Sequence, residues 1–255
     1  IILNTSLQYQ ARAVVRLDSP SLEERNHAFH KIVREAVAVK LTKDGRERGD
    51  LAWLFDHANP DNNDWLVVSQ LTVVDGNNKR RPDLVLYVNG LPLAVIEFKN
   101  PEDANATIEG AHNQLQLYKD QIPALFAANE ILVVSDGTEA RVGSITAGFE
   151  RFGPWRTIDG LSVAPDALPR LQVLLHGLFE KRRFLDYLYH FVLWETDDGF
   201  VKKIAGYHQF HAVNKAVAAT VRASAETGDQ RIGVVWHTQG SCKSIAMVYY
   251  AGKVI

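Results

Sequence analysis

Three ionisable residues lie at the ends of two short apolar runs that have the composition of β-strands. Asp83 opens the run 83–88, and Glu97 and Lys99 close the run 93–99. Residues two apart on a strand project from the same face, so the side chains of Glu97 and Lys99 lie on the same face of the strand. Adjacent carboxylates repel each other, and a hard cation such as Mg²⁺ relieves that repulsion. A lysine beside them can orient the attacking water or neutralise charge on a phosphate. The alternative is a solvated surface pair with no chemical role.

The turn between the two runs decides whether the carboxylates meet. Asn89-Gly90 predicts a β-hairpin. A regular two-residue turn would pair Asp83 with Ile96 and turn Glu97 to the other face of the sheet. We therefore predict either an odd-length loop with Gly90 in the left-handed region or a β-bulge that restores the register. Carboxylates on opposite faces would rule out the site.

A second candidate site follows the apolar run 232–236, where residues 237–244 read His-Thr-Gln-Gly-Ser-Cys-Lys-Ser. A phosphate-binding loop has the form G-x-x-x-x-G-K-[ST] between a strand and a helix. Here His237 and Cys242 occupy the two glycine positions, and Lys243-Ser244 completes the motif. Glycine lets the backbone approach phosphate closely and adopt unusual angles. A side chain at Cys242 would crowd the phosphate, which puts nucleotide affinity in question.

Composition and charge are those of a globular protein. The chain has 255 residues, of which 46% are hydrophobic and 23% charged, which excludes disorder, collagen and coiled coil as the main architecture. A net charge of −2 argues against binding to nucleic acid by bulk charge. The single cysteine allows no internal disulfide, so we expect a cytoplasmic protein. Because the chain begins without Met, we expect it to be part of a longer protein.

The order of periodic segments predicts an α/β fold. Helical patterns cover 21–41 and 107–122, one or two buried helices lie within 170–194, and a further helix covers 208–225. Strand patterns cover 65–74, 83–88, 93–99, 130–135, 140–145 and 232–236. The region before about residue 150 should form a mixed sheet flanked by helices. The strand at 232–236, its loop and a helix from Ser244 should open a second α/β unit.

Several of these segments resemble a known nuclease family. Arg81-Pro82-Asp83, Glu97-Phe98-Lys99 and the helix that follows resemble the PD-(D/E)xK nuclease fold. Gln114 and Tyr118 match the QxxxY element of its RecB-like members. Over nearly its whole length, and most clearly at 89–101, the chain is similar to the R subunit of type I restriction-modification enzymes. The resemblance implies a restriction-endonuclease-like sheet, then helices, then the first strand, loop and helix of a RecA-like domain.

The resemblance also implies roles for individual residues. Mg²⁺ would be held by Asp83, Glu97 and the Phe98 carbonyl, with Lys99 catalytic and with Gln114 and Tyr118 supporting the site or contacting DNA. The segment 206–210 resembles the adenine-reading glutamine motif of superfamily 2 helicases. ATP would be bound by the following residues: Tyr207, Gln209, Gly240, Ser241, Cys242, Lys243 and Ser244.

On this basis we expect a type I site-specific deoxyribonuclease, with an endonuclease domain at 1–165, a helical connector at 166–200 and a truncated motor domain from 201 to 255. The family cleaves double-stranded DNA with ATP-driven translocation and with modification (methyltransferase) and specificity subunits as partners. The 255 residues alone are not expected to hydrolyse ATP, because no acidic strand follows the loop. Two alternatives stay open: a RecB-like DNA-repair nuclease without methyltransferase partners, and a noncatalytic scaffold with a degenerate nuclease fold.

Overall fold

The computed structural model describes residues 21–43, 46–100, 102 and 107–255. The first 20 residues of the predicted endonuclease domain therefore lie outside the described residues. Six α-helices occur in the described part: α1 (Leu22–Glu35), α2 (Ile108–Gln121), α3 (Arg170–Gly177), α4 (Lys181–His190), α5 (Tyr207–Ser224) and α6 (Lys243–Val254). None of these helices combines the length and apolar character that crossing a membrane requires.

Eleven strands are present in the same residues. They are β1 (Val37–Lys43), β2 (Arg46–Ala52), β3 (Trp65–Ser69), β4 (Val73–Asp75), β5 (Asn78–Arg80), β6 (Leu84–Val88), β7 (Leu91–Phe98), β8 (Ile131–Ser135), β9 (Ala140–Gly143), β10 (Val192–Glu195) and β11 (Val201–Ile204). Five of them form the central sheet in the order β3-β6-β7-β8-β9. Only β7 and β8 pair in parallel, and the other neighbours are antiparallel. The predicted mixed sheet flanked by helices is thus confirmed.

The central sheet is covered on both faces. Val85, Val95 and Val134 point to the face covered by α2, where they pack with Ala111 and Leu115. The opposite face shares a second apolar cluster with α1, α4, α5 and α6. Because β7 and β8 are buried on both sides, they read in the sequence as continuous apolar runs. The site residues at the end of β7 therefore belong to a rigid, fully packed strand.

The first helix is shorter than predicted, and a hairpin replaces its end. Ser21 caps α1 by accepting a hydrogen bond from the Glu24 backbone N–H at 3.0 Å. The helix ends at Glu35, and Ala36 takes a positive φ of 61°. Strand β1 then pairs antiparallel with β2. The β-branched Val37 and Val39 favour an extended chain once a partner strand is present.

Two further segments differ from the sequence expectations. The predicted strand 65–74 divides at Gln70 into β3 and β4, and β4 pairs with β5 in a separate hairpin. The region 170–194 forms the two helices α3 and α4 and then β10. In each case the apolar segment is ordered, but a local change of backbone direction divides it into two or more elements.

The strand predicted at 232–236 is absent. Residues 231–238 have no regular secondary structure, and Val234 and Trp236 are 91% and 88% exposed. A strand is stabilised by hydrogen bonds to a neighbouring strand, and none of the described residues supplies one here. The composition of this segment favours a strand, but no other described strand pairs with it.

A buried ionic network joins the β10–β11 hairpin to the central sheet. Lys202 Nζ lies 2.6 Å from Glu130 Oε2, and both side chains are fully buried. The same ammonium donates to Asn26 Oδ1 at 2.9 Å and to the Asn129 carbonyl at 3.0 Å, while His30 Nδ1 lies 3.2 Å from Glu130. Burial alone would raise the pKa of Glu130. The opposing effect of Lys202 and His30 is larger, so the pKa lies below its ordinary value. The network thus depends on each charge having its partner.

Removing the cation of this network should destabilise the protein strongly. We expect Lys202→Met to lower the free energy of unfolding by about 3–5 kcal/mol, because Glu130 would stay buried without a counter-charge. Adding Glu130→Gln should restore much of the loss. Urea denaturation checks both, with Lys203→Met as the matched control. Lys203 pairs with Glu195 at the surface, so its change should stay within about 1 kcal/mol. Equal effects at the two lysines would contradict the assignment.

Candidate functional site

A β-bulge brings the two carboxylates together. Val88 pairs with Leu91 across the two-residue turn Asn89-Gly90, in which both residues have positive φ. The register then shifts between Leu86 and Tyr87, so that Leu84 pairs with Ile96. Asp83 consequently lies beside Glu97 on the sheet face covered by α2. The bulge was one of the two alternatives predicted from the sequence, and it is confirmed.

The Asp83 carboxylate is held by two donors. Its Oδ2 accepts a hydrogen bond from the Phe98 backbone N–H at 2.8 Å, and its Oδ1 accepts one from Gln70 Nε2 at 2.6 Å. Because the N–H and C=O of one strand residue point to the same side, the Phe98 carbonyl also faces the Asp83 side of β7. Its neighbour Lys99 donates its N–H to the Ser135 carbonyl on the other side, at 2.9 Å.

Glu97 is buried, with 2% of its surface exposed. Burial and the negative charge of Asp83 raise its pKa from 4.5 to about 7. The Asp83 backbone N–H, the Lys99 ammonium and the Tyr118 hydroxyl oppose this rise without cancelling it. Two carboxylates this close do not both ionise readily. Glu97 therefore holds a proton for part of the time at neutral pH, which is a perturbation typical of functional sites.

Helix α2 supplies the side chains that contact Lys99 and Glu97. Thr107 caps the helix by accepting from the Gly110 N–H at 3.0 Å. One turn apart on the inner face, Gln114 Nε2 donates to the Tyr118 hydroxyl at 2.5 Å, and Gln114 Oε1 accepts a hydrogen bond from Lys99 Nζ. The Tyr118 hydroxyl in turn interacts with Glu97. The structure thus brings together all five residues predicted for the nuclease site and the Phe98 backbone.

The donor atoms at this site are oxygens. Among the described residues no group of three or more His, Cys, Asp or Glu side chains is placed to hold a metal ion. The two carboxylates and the Phe98 carbonyl nevertheless form an oxygen set of the kind that a hard cation accepts when water completes its coordination. Burial of Glu97 and the negative charge of Asp83 both favour the protonated form of Glu97, so a cation held there would have to displace that proton.

Gln70 is a site residue that the sequence analysis missed. It follows β3, has a φ of 52°, and donates its backbone N–H to the Asp83 carbonyl at 2.8 Å in addition to its side-chain bond. Its own carbonyl accepts from Arg81 Nε at 3.2 Å. A single glutamine within the predicted strand 65–74 carries no periodic or motif signal. Its role emerges only from the pairing of β3 with β6.

The loop 237–242 lies before α6, as predicted, and Cys242 is the N-cap of that helix. Cys242 has left-handed backbone angles, φ 52° and ψ 48°, which glycine adopts without strain and other residues rarely adopt. Lys243 Nζ donates to the carbonyls of His237 at 3.3 Å and Thr238 at 3.0 Å. Gly240 has a φ of 83°, Ser241 Oγ donates to the Thr238 carbonyl, and Ser244 is exposed.

Gln209 connects α5 to this loop. Its Oε1 accepts from the Gly206 backbone N–H at 2.8 Å, and its Nε2 donates to the Cys242 carbonyl at 3.2 Å. Gln209 is 6% exposed, whereas Tyr207 is half-buried and places its ring against His208. The structure therefore places the predicted glutamine and the predicted loop in direct contact.

Comparison with known proteins identifies the family. Residues 3–151 match the sequence model of the type I restriction enzyme R protein N terminus, and the chain belongs to this family. Residues 208–255 match the model of the SWI2/SNF2 ATPases. The first match covers the central sheet, and the second covers most of α5, the loop 237–242 and α6.

Named relatives agree with this assignment. The chain is 43% identical over 249 residues to the type I restriction enzyme HindI endonuclease subunit of Haemophilus influenzae, covering 96% of this chain and 24% of the relative. It is 34% identical over 266 residues to a Methanocaldococcus jannaschii protein with the provisional name type I restriction enzyme MjaIXP endonuclease subunit. This match covers 96% of this chain and 25% of the relative. The chain thus spans about a quarter of the length of these relatives.

The raised pKa of Glu97 predicts a pH-dependent stability. The folded state holds the Glu97 proton more tightly than the unfolded chain does, so this contribution is complete below pH 4.5 and is lost as the pH rises through about 7. We expect Glu97→Gln, measured with a chelator present, to unfold at higher denaturant than the wild type at pH 8 but not at pH 5.

The matched control for this measurement is Glu226→Gln, at an exposed position in the C-terminal region. The denaturant midpoint of this variant should change with pH in the same way as that of the wild type. If the midpoint of Glu97→Gln changed in that way as well, Glu97 would not carry the buried proton.

Proposed function

We propose that this chain supplies the Mg²⁺-dependent endonuclease site of a type I restriction enzyme and part of its ATP-driven motor. The observation that carries the proposal is the adjacency of Asp83 and Glu97 at the end of a buried strand, with Lys99 on the same face. This arrangement is the one expected for PD-(D/E)xK nucleases. The substrate is double-stranded DNA, and the relatives' names support a restriction role.

The proposed chemistry is phosphodiester hydrolysis. Asp83, Glu97 and the Phe98 carbonyl would hold Mg²⁺, which when bound polarises the phosphate and lowers the pKa of a bound water. Glu97 must give up its proton to act as a ligand. Gln114 holds the Lys99 ammonium at the same face of the sheet. From there Lys99 orients the attacking water or neutralises charge on the phosphate.

The C-terminal segment would bind ATP in the complete subunit. The match to SWI2/SNF2 ATPases and the position of Lys243-Ser244 at the start of α6 support this. Tyr207 and Gln209 would lie at the adenine, and the loop residues Gly240 to Ser244 would surround the phosphates. The described residues of the proposed nuclease site include no group that we assign to reading a base sequence, so recognition would come from the modification and specificity subunits.

The nuclease assignment is tested by substituting the lysine. In the complete restriction complex, Lys99→Ala should reduce DNA cleavage by at least about 100-fold, within the range for loss of a catalytic proton-transfer or electrostatic group. Subunit assembly and ATP-driven movement should persist. Gel-based cleavage of a plasmid that carries the recognition site measures the effect, with Lys203→Ala as the control.

Two outcomes would favour the alternatives. Unchanged cleavage by the Lys99→Ala complex would support a noncatalytic scaffold, with cutting performed elsewhere. A longer subunit that cleaves DNA but does not co-purify with a methyltransferase would support a repair nuclease of the RecB type.

The phosphate loop gives a separate prediction. Cys242→Gly should stabilise the loop by about 1 kcal/mol, because glycine adopts the left-handed angles of this position without strain. The loss of the side chain should also let the backbone approach phosphate, which raises ATP affinity. Binding of a fluorescent ATP analogue to the longer subunit measures this. Weaker binding by Cys242→Gly would show that the cysteine is adapted to its position.

A further inference from the structure

We propose that Gln70 is a positioning residue that holds the Asp83 carboxylate in the orientation required for metal binding. The inference rests on the proposed function and adds a residue outside the Asp-Glu-Lys motif. Gln70 does not belong to that motif or to the phosphate loop, and its contacts converge on one metal-binding residue.

The first support is the geometry of the side chain. Gln70 Nε2 lies 2.6 Å from Asp83 Oδ1, and Phe98 N lies 2.8 Å from Oδ2. An ionised carboxylate only accepts hydrogen bonds, so the amide of Gln70 must present its NH₂ group. The two donors hold one oxygen each and thereby fix the rotation of the carboxylate plane. The remaining lone pairs stay available to a cation.

The second support is the backbone of Gln70. A residue with a side chain at φ 52° is strained relative to an extended one. Here the strained turn directs the Gln70 N–H to the Asp83 carbonyl at 2.8 Å, and the Gln70 carbonyl accepts from Arg81 Nε at 3.2 Å. Gln70 thus contacts both the backbone and the carboxylate of Asp83. It directly follows β3, at the point where the chain turns toward the β4–β5 hairpin.

These contacts also join the two ends of the segment that connects β3 to β6. The chain leaves the sheet after Ser69 and returns at Asp83, and the Gln70–Asp83 bonds join the two ends. Asp83 lies just outside the regular ladder, where strand pairing alone does not fix its side chain. The Gln70 amide supplies the missing constraint.

The test uses Mn²⁺ binding to the 255-residue chain, measured by isothermal titration calorimetry. Gln70→Gly removes the amide and keeps the left-handed backbone without strain. We expect it to weaken Mn²⁺ affinity by about 3- to 10-fold, as for the loss of one hydrogen bond. The denaturant midpoint without Mn²⁺ should change little. A purely structural role would show the opposite pattern, with lower stability and unchanged affinity.

The matched control is Gln230→Gly. Gln230 is also an exposed glutamine with a positive φ of 58°, but it lies between α5 and the phosphate loop. Its substitution should leave Mn²⁺ affinity unchanged. Gln70→Asn serves as a second variant, since asparagine tolerates a positive φ but its amide is one methylene short of Asp83. It should bind Mn²⁺ as weakly as Gln70→Gly.

Asp83→Ala separates this inference from the proposed function. Loss of Mn²⁺ binding in Asp83→Ala together with weaker binding in Gln70→Gly supports both. Loss in Asp83→Ala with wild-type affinity in Gln70→Gly overturns the role of Gln70 alone. A wild-type chain that binds no Mn²⁺, or an Asp83→Ala chain that binds it normally, overturns the metal site and the positioning role together.

Discussion

The register between β6 and β7 is the constraint on which the candidate nuclease site depends. A single extra residue in β7 moves the pairing so that Asp83 lies beside Glu97 rather than beside Ile96. Ile96 belongs to the apolar cluster on the face away from α2, whereas Val95 belongs to the cluster beneath α2. Without the bulge, Asp83 and Glu97 would face opposite sides of the sheet, and neither Gln114 nor Tyr118 could serve both.

Much of this arrangement could be predicted from the sequence. Asn89-Gly90 defines the hairpin, and the requirement that two carboxylates share a face leaves only an odd loop or a bulge. Helix α2 was also predictable, because Thr107 has the chemistry of an N-cap and Pro123 ends the pattern. Gln70 was not predictable, since its conformation results from hydrogen bonds to residues more than ten positions away.

The errors have a common physical origin, which is that a strand needs a partner. Residues 46–50 contain four charged side chains and a glycine, yet they belong to β2 because β1 pairs with them locally. Residues 232–236 have the stronger strand composition but remain irregular, because no described strand lies beside them. Strand propensity therefore fails to indicate the first segment and wrongly predicts a strand in the second. The buried Lys202–Glu130 pair was equally invisible, since it joins residues 72 positions apart.

The charges of the proposed nuclease site explain how a lysine can lie near two carboxylates and stay available for the catalytic role proposed for it. An ammonium close to Asp83 and Glu97 would neutralise them by direct pairing and would compete with a cation. Gln114 Oε1 accepts the hydrogen bond of Lys99 Nζ, which directs the ammonium toward α2. Glu97 instead keeps a proton, with a pKa of about 7. Metal binding at the proposed site would therefore displace a proton from Glu97 and would tighten as the pH rises through 7.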